Sequence, residues 1–321
     1  MALPETIRIA SAETEIIYRI GEDRELILQS LTSDNGRWVS PLEGPVFPSI
    51  PYRPGKGPKC LGPLSIVTPD GSTGLELRYA SHALKQVASS IECLTITMQD
   101  ALLPLEVELH IQVYKELDVF EQWVVLKNGS ADPLRVPRLD SMNFRANAED
   151  GIYLEWFESD EYNTAGVSIR EKLNRGIRLL ESRDGNRHKS GPIPAFILGF
   201  GEEPAEDSVP CMIASLEWIG SARFSFDLNN KEILEASMGV DQPLPPVVQA
   251  GESICSPRMT FTFSAKGKGP ASRRLHDWCR QHLLPGGDRL RLVDNNSWEG
   301  CSFNVDEASV LQMMKDSAEM G

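Results

Sequence analysis

The side chains that could hold a metal or attack a substrate are scattered too widely in this 321-residue sequence to form any motif with a chemical purpose. His82, His110, His188, His276 and His282 include no pair four residues apart, the interval that puts two imidazoles on one face of a helix to share a metal. His276 and His282 fall six apart on a helical pattern, face different ways and are read as structural. The cysteines are Cys60, Cys93, Cys211, Cys255, Cys279 and Cys301, and the two nearest in sequence are 22 residues apart, so no zinc knuckle is written here. The first twenty residues carry Glu5, Glu13 and Glu15 and no apolar leader, so the thiols are expected to be reduced and mostly buried, in a cytoplasmic protein. Gly55-Lys56-Gly57 sits between Pro54 and Pro58, not between a strand and a helix, and neither a phosphate loop nor a Gly-x-Ser-x-Gly elbow occurs. No cofactor and no metal are expected. The chain has 32 basic against 46 acidic residues, a net charge of −14 that repels phosphate backbones, so no nucleic acid is expected. No apolar run is long enough for a membrane helix, so no membrane is expected either.

One segment mixes acids with aromatics: Tyr153, Glu155, Trp156, Phe157, Glu158, Asp160, Glu161 and Tyr162. Sugar-binding surfaces use that mixture, because an aromatic ring covers the apolar C–H face of a pyranose while carboxylates accept its hydroxyl hydrogens. An amphipathic strand ending in an acidic turn explains the same residues without a ligand. A second polar segment, Glu181-Ser182-Arg183-Asp184-Gly185-Asn186-Arg187-His188, reads by itself as a loop before the apolar run Pro194 to Phe200.

The elements that would position these residues are strands. Leu105, Val107, Leu109, Ile111 and Val113 alternate with Glu106, Glu108, His110 and Gln112, the period of a half-buried antiparallel strand. Similar runs occupy Leu94 to Met98, Val119 to Leu126 before the turn pair Asn128-Gly129, Cys211 to Trp218, Arg223 to Leu228 and Met259 to Phe263. Prolines gather between them, as in Pro41 to Pro58 and Pro243 to Pro246. Residues 1–265 therefore predict a large β-sandwich. After Lys266-Gly267-Lys268-Gly269-Pro270 the apolar positions Leu275, Trp278, Cys279 and Leu283 take helical spacing and stop at Pro285-Gly286-Gly287, a linker helix over 266–288. In 289–321, Leu290 to Trp298 is expected to form a strand around Leu292 and Val293. A helix follows with Asp306 as N-cap, Val310, Leu311, Met314 and Ala318 on its apolar side and Gly321 at its end. A lone βα unit cannot cover its strand on both faces, so the chain is expected to stop inside a domain.

Asn296-Ser297-Trp298-Glu299-Gly300-Cys301-Ser302-Phe303, with the helix Asp306 to Met320, resembles the first strand and helix of the catalytic (β/α)8 barrel in α-galactosidases of glycoside hydrolase family 36. Upstream, Ser182-Arg183-Asp184-Gly185, His188, Pro192 and Phe196 resemble a segment of that family's N-terminal β-supersandwich, and the helix from Ser272 through His276 to His282 resembles the one that joins sandwich to barrel. The resemblance implies a mainly β fold: a large β-supersandwich, a linker helix and the first βα unit of a truncated (β/α)8 barrel. It also implies an N-terminal, non-catalytic portion of a retaining hydrolase of terminal α-galactosides, with a galactose-containing oligosaccharide as partner of the full-length enzyme and a homo-oligomer as its form.

The family's later motifs, a double Asp before Gly-Trp, a Lys-Trp-Asp that carries the nucleophile and a further Asp as acid/base, do not occur in this chain; by the resemblance their places lie beyond Gly321. Its early Gly-x-x-Asp-Phe-Arg segment is missing between Pro51 and Tyr79 as well. No catalytic residue is therefore expected in the chain, and the chain alone is expected to be inactive. The substrate-binding candidates the resemblance offers are Trp298, expected to line the sugar pocket, and Glu299 beside it. The competing reading is a stand-alone carbohydrate-binding or assembly module without hydrolase activity.

Overall fold

In a computed structural model of the protein, which describes residues 6–33, 38–40, 43–50, 62–159, 166–183, 185, 191–242, 244–292, 294 and 296–320, the alternation at 105–113 becomes real burial. The five apolar side chains are 0–2% exposed and the polar ones between them are half-buried. The Gly55-Lys56-Gly57 loop, Cys60, Asp160 to Tyr162, Asp184, Asn186 to His188, Val293 and Gly321 lie outside the described residues.

Among the described residues the chain forms 21 strands before its helices, and every strand pairing is antiparallel. β1 (Thr6–Ala10), β2 (Glu15–Ile20), β3 (Leu26–Ser33), β4 (Trp38–Ser40) and β5 (Gly44–Pro45) make an N-terminal sheet in the order β1-β2-β3-β4, with β5 on β3. The next strands are β6 (Leu64–Val67), β7 (Leu77–Ala88), β8 (Ile91–Asp100), β9 (Leu105–Tyr114), β10 (Val119–Asn128), β11 (Leu134–Asn147), β12 (Ile152–Ser159), β13 (Val167–Lys172) and β14 (Gly176–Ser182). They continue with β15 (Gly191–Phe200), β16 (Cys211–Leu216), β17 (Ala222–Leu228), β18 (Ile233–Val240), β19 (Val247–Val248), β20 (Ser253–Cys255) and β21 (Met259–Ser264). A ten-stranded sheet runs β13-β12-β15-β16-β21-β10-β9-β8-β7, with β20 also on β10, and a six-stranded sheet runs β14-β17-β18-β11-β19, with β6 on β11. Pro257, which has no N–H for a ladder, separates β20 from β21, and the Ser256 hydroxyl accepts the Val124 N–H at 2.9 Å in the gap.

The three sheets share one apolar core. Phe196 on β15 meets Phe224 and Phe226 on β17 edge to face at 5.7 and 5.1 Å, which locks the ten-stranded sheet to the six-stranded one. Phe120 on β10 stacks on Phe261 of β21 at 5.5 Å. The turn expected at Asn128-Gly129 is held from within: the buried Asn128 side chain donates to the carbonyls of Asp132 (2.8 Å) and Val248 (3.0 Å). A Cβ on Gly129 would lie 2.7 Å from the Pro104 carbonyl oxygen.

Helix α1 (Lys268–Trp278) follows β21, and the chain continues in a wider π turn, Cys279–Leu283. The chain divides into two compact units, Met1–Trp278 and Cys279–Gly321. In the second unit α2 (Trp298–Cys301) is a single turn and α3 (Glu307–Met320) starts at the expected cap, with Asp306 Oδ1 accepting the Ser309 N–H at 2.8 Å. Over 290–298, where a strand is expected, none of the described residues is in one; the described positions before Trp298 are irregular, and no described neighbour supplies the ladder a strand needs. No described residue of this unit is buried; Leu290 and Leu292 are almost fully exposed, and Phe303, Met314 and Met320 are exposed as well. No described helix is long and apolar enough to cross a membrane.

Candidate functional site

The acidic and aromatic residues of β12 alternate into different tasks. Trp156 points into the core at 5% exposure, with its indole N–H donating to Glu158 at 2.8 Å and the Arg178 guanidinium over its ring at 5.4 Å. Glu155 points the other way and is also buried. It accepts from Ser168 (2.7 Å) and pairs with Arg170 and with Lys268 at the start of α1, both at 3.1 Å. Burial alone would raise this carboxyl, but those donors overcome it and hold it below the usual range. Glu155 thus seats a helix and presents no free oxygen to a sugar, so the described part of the segment, β12, is an amphipathic strand.

The rest of the seat is as specific. The first N–H groups of a helix have no partner inside it, and here Lys268 and Gly269 donate theirs to the carbonyls of Ala205 and Glu206, both at 2.9 Å. That approach requires glycine: a Cβ on Gly269 would sit 2.6 Å from the Glu206 oxygen, and Gly267 has φ +88° with the Ala205 oxygen equally close. Farther along, Arg274 reaches Asp118 and Glu13, each at 2.6 Å, while Thr14 donates to Asp118 at 3.0 Å and Ser11 bonds to it too. Burial raises the Asp118 carboxyl in spite of these partners. At the end of the helix, Trp278 is buried edge to face against Tyr114 at 6.1 Å.

Tyr114 opens a polar network on the face of the ten-stranded sheet that α1 crosses. Its hydroxyl donates to Glu121 at 2.9 Å, and Gln112 donates to both, at 2.8 and 3.3 Å. Arg258 pairs with the same carboxylate and lies 4.3 Å over the Trp123 ring, against which His110 stacks at 4.9 Å and 3°. His110 meets Glu108 at 3.2 Å, and Lys127 bridges Glu106 (2.8 Å) and Glu108 (2.6 Å). Burial pushes the Tyr114 phenol up to about 12 and raises the nearby Glu217 carboxyl, which accepts from Thr260. Glu121, held by Tyr114, Gln112 and Arg258, serves the structure. Sequence reasoning missed this network because its members come from β9, β10 and the β20–β21 joint, and only the strand register brings them together.

Trp298 stands at the first position of α2, with its N–H bonded to Asn296 Oδ1 at 3.0 Å. It is 49% exposed, and its ring meets Phe303 edge to face at 4.9 Å. The Glu299 backbone belongs to the same turn, but its side chain lies outside the described residues. Cys301 and Met313 join α2 to α3 through a sulfur–sulfur contact of 3.7 Å. Among the described residues no group of three His, Cys, Asp or Glu side chains is placed to hold a metal ion.

The three sheets and the helix seated on them make a β-supersandwich domain. The model of the glycosyl hydrolase family 36 N-terminal domain matches residues 54–248, more than half of the chain, and the chain belongs to that family. It is 26% identical to a probable α-galactosidase C of Aspergillus terreus over 312 residues, which span 91% of this chain and 40% of that protein. It is 25% identical to α-galactosidase AgaA of Geobacillus stearothermophilus, over 78% of this chain and 36% of the other. In structure it overlays AgaA in complex with raffinose at a TM-score of 0.82 (20% identity, 98% of this chain, 49% of that one) and the α-galactosidase of Lactobacillus brevis at 0.81 (16%, 100% and 48%). The chain thus corresponds to the N-terminal portion of its relatives, well under half the length of the curated ones and about half of the solved ones.

Proposed function

We propose that the chain is the non-catalytic part of an enzyme that hydrolyses terminal α-galactosides with retention, acting in the cytoplasm on galactose-containing oligosaccharides of the kind seen bound to Geobacillus AgaA. The observation that carries the reading is the match of the family's N-terminal domain to residues 54–248. The five described cysteines are free thiols, which suits a reducing compartment.

Retention requires two carboxyl groups about 5–5.5 Å apart across the anomeric carbon, one as nucleophile and one as acid/base. In a (β/α)8 barrel they stand at the C-terminal ends of different strands. The acids described above are committed elsewhere: Glu155 and Asp118 to α1, Glu121 to Arg258. The sandwich therefore acts as a support, and 279–321 opens the catalytic domain, where its exposed Leu290, Leu292 and Phe303 would find cover. In that domain Trp298 lines the sugar pocket, its half-exposed ring offered to the C–H face of galactose, and Glu299 lies beside it. The test is Trp298→Ala in the full-length gene product. We expect kcat/KM on an aryl α-galactoside to fall with the fold intact, while an unchanged value would place Trp298 in packing alone.

A further inference from the structure

Asn128-Gly129 is the kind of pair most open to deamidation in a free chain, because glycine has no side chain to hinder attack by its backbone nitrogen on the amide before it. In that reaction the Gly129 nitrogen gives up its proton and bonds to Asn128 Cγ, the Cγ–Nδ2 bond breaks, and ammonia leaves with the proton. Water then opens the cyclic imide to aspartate or isoaspartate. The fold holds both partners away from this path. Asn128 is 1% exposed, and its Nδ2 donates to the carbonyls of Asp132 (2.8 Å), Val248 (3.0 Å) and Gln249 (3.2 Å). Its Oδ1 accepts the Ser130 N–H at 3.0 Å and the Ser130 hydroxyl at 2.6 Å. The attacking nitrogen is engaged too: the Gly129 N–H donates to the Pro104 carbonyl at 2.9 Å. The Asn128 backbone is pinned on both sides, its N–H to Glu252 at 2.9 Å and its carbonyl to the Gly251 N–H at 2.7 Å.

We infer that Asn128 is a latent deamidation site, closed in the folded chain and opened by unfolding, and that its conversion bars the chain from returning to the native fold. Attack requires the side chain to leave all of those bonds and the Gly129 nitrogen to leave Pro104, so it waits for the turn to open. Neither product fits the closed turn. An ionised aspartate at 128 sets an oxygen without a hydrogen where Nδ2 meets three carbonyl oxygens, in a buried place that offers no other donor to them among the described residues. Isoaspartate moves the side-chain methylene into the main chain, which displaces the pairing of residue 128 with Leu105 and the bond from Gly129 to Pro104. The damage reaches both long sheets, because Asn128 ends β10 of the ten-stranded sheet and holds Val248 on β19 of the six-stranded one. A chain that stays folded keeps its asparagine, and one that lingers unfolded is marked and retired. The site stands independently of the glycosidase reading, because none of its residues belongs to the seat of α1 or to Trp298.

The experiment incubates the 321-residue chain at mildly alkaline pH with and without urea and follows residue 128 by peptide mapping. The second Asn-Gly pair, Asn35-Gly36, lies outside the described residues and gives, in the same urea digest, the rate of such a pair in an unfolded chain. We expect Asn128 to convert in urea at a rate close to that of Asn35, and at least about a hundredfold more slowly in the folded chain. When the urea is diluted out, the refolded fraction isolated by size exclusion should be depleted of converted residue 128 relative to the mixture before refolding. Asn128→Asp should lower Tm by at least about 5 °C or fail to fold. A smaller gap between the folded and urea rates, a refolded fraction as rich in converted residue 128 as the mixture, or an Asn128→Asp chain as stable as wild type overturns the inference.

Discussion

Arg274→Ala removes a cation that ties the middle of α1 to the sandwich. Its guanidinium lies 2.6 Å from both Asp118 and Glu13 and donates to the Phe263 carbonyl, and Asp118 is 3% exposed. Removing one partner of a buried ion pair costs about 3–5 kcal/mol, because the other charge is left in a medium that cannot solvate it. Here the Arg274 side chain keeps 19% exposure and Ser11 and Thr14 still bond to Asp118, so we expect the lower figure of about 2–3 kcal/mol. For a domain of this size that is a fall in Tm of about 4–12 °C. The loss also has a pH signature. The folded Asp118 carboxyl is already raised, and without Arg274 it rises further, so the folded variant gains a proton more readily than the unfolded chain. The deficit relative to wild type is therefore full at neutral pH and shrinks as the pH falls through the raised Asp118 pKa. Urea unfolding of both proteins at neutral and mildly acid pH, followed by far-ultraviolet dichroism, measures it, and Asp118→Asn in the Arg274→Ala background should recover most of the loss. A variant as stable as wild type, or a deficit that does not change with pH, refutes the reasoning.

Gly269→Ala should cost about 1–3 kcal/mol, since its Cβ must displace the Glu206 carbonyl that caps the helix, and thermal unfolding reads it directly. Cys211 is fully buried with its thiol pushed up to about 12, so a thiol reagent should label the exposed Cys255 in the native protein and Cys211 only after denaturation, as peptide mapping would show. Amides of 279–320 should exchange well before those of Leu105–Tyr114, because no described side chain there is buried; equal protection would contradict the view that this unit awaits a domain.

Local patterns in the sequence carried over well into the structure. Alternation placed β9, β10, β16, β17 and β21, and Asp306 sat at its cap, because each depends on residues within one element. The described residues of 290–298 are irregular, since two apolar residues cannot make a strand without neighbours to bond. The seat of α1 was hidden because Glu155 and Lys268 are 113 positions apart, and Arg274 and Glu13 are 261. The aromatic and acidic mixture fits a sugar surface or an amphipathic strand by sequence alone, and on β12 only the fold separates the strand's two faces into core and helix seat. Trp298 and Glu299 entered by family likeness, and neither spacing nor composition singles them out.

The measurement that tests the central claim most directly compares turnover of an aryl α-galactoside by the purified 321-residue chain, by the full-length gene product and by a matched mock purification. The account predicts turnover by the full-length product and none above the mock for the chain, whose described acids Glu155, Asp118 and Glu121 are bound into structural pairs. Turnover by the chain that exceeds the mock and disappears on substitution of an acid within its own sequence would contradict it and place the catalytic site in the β-domain.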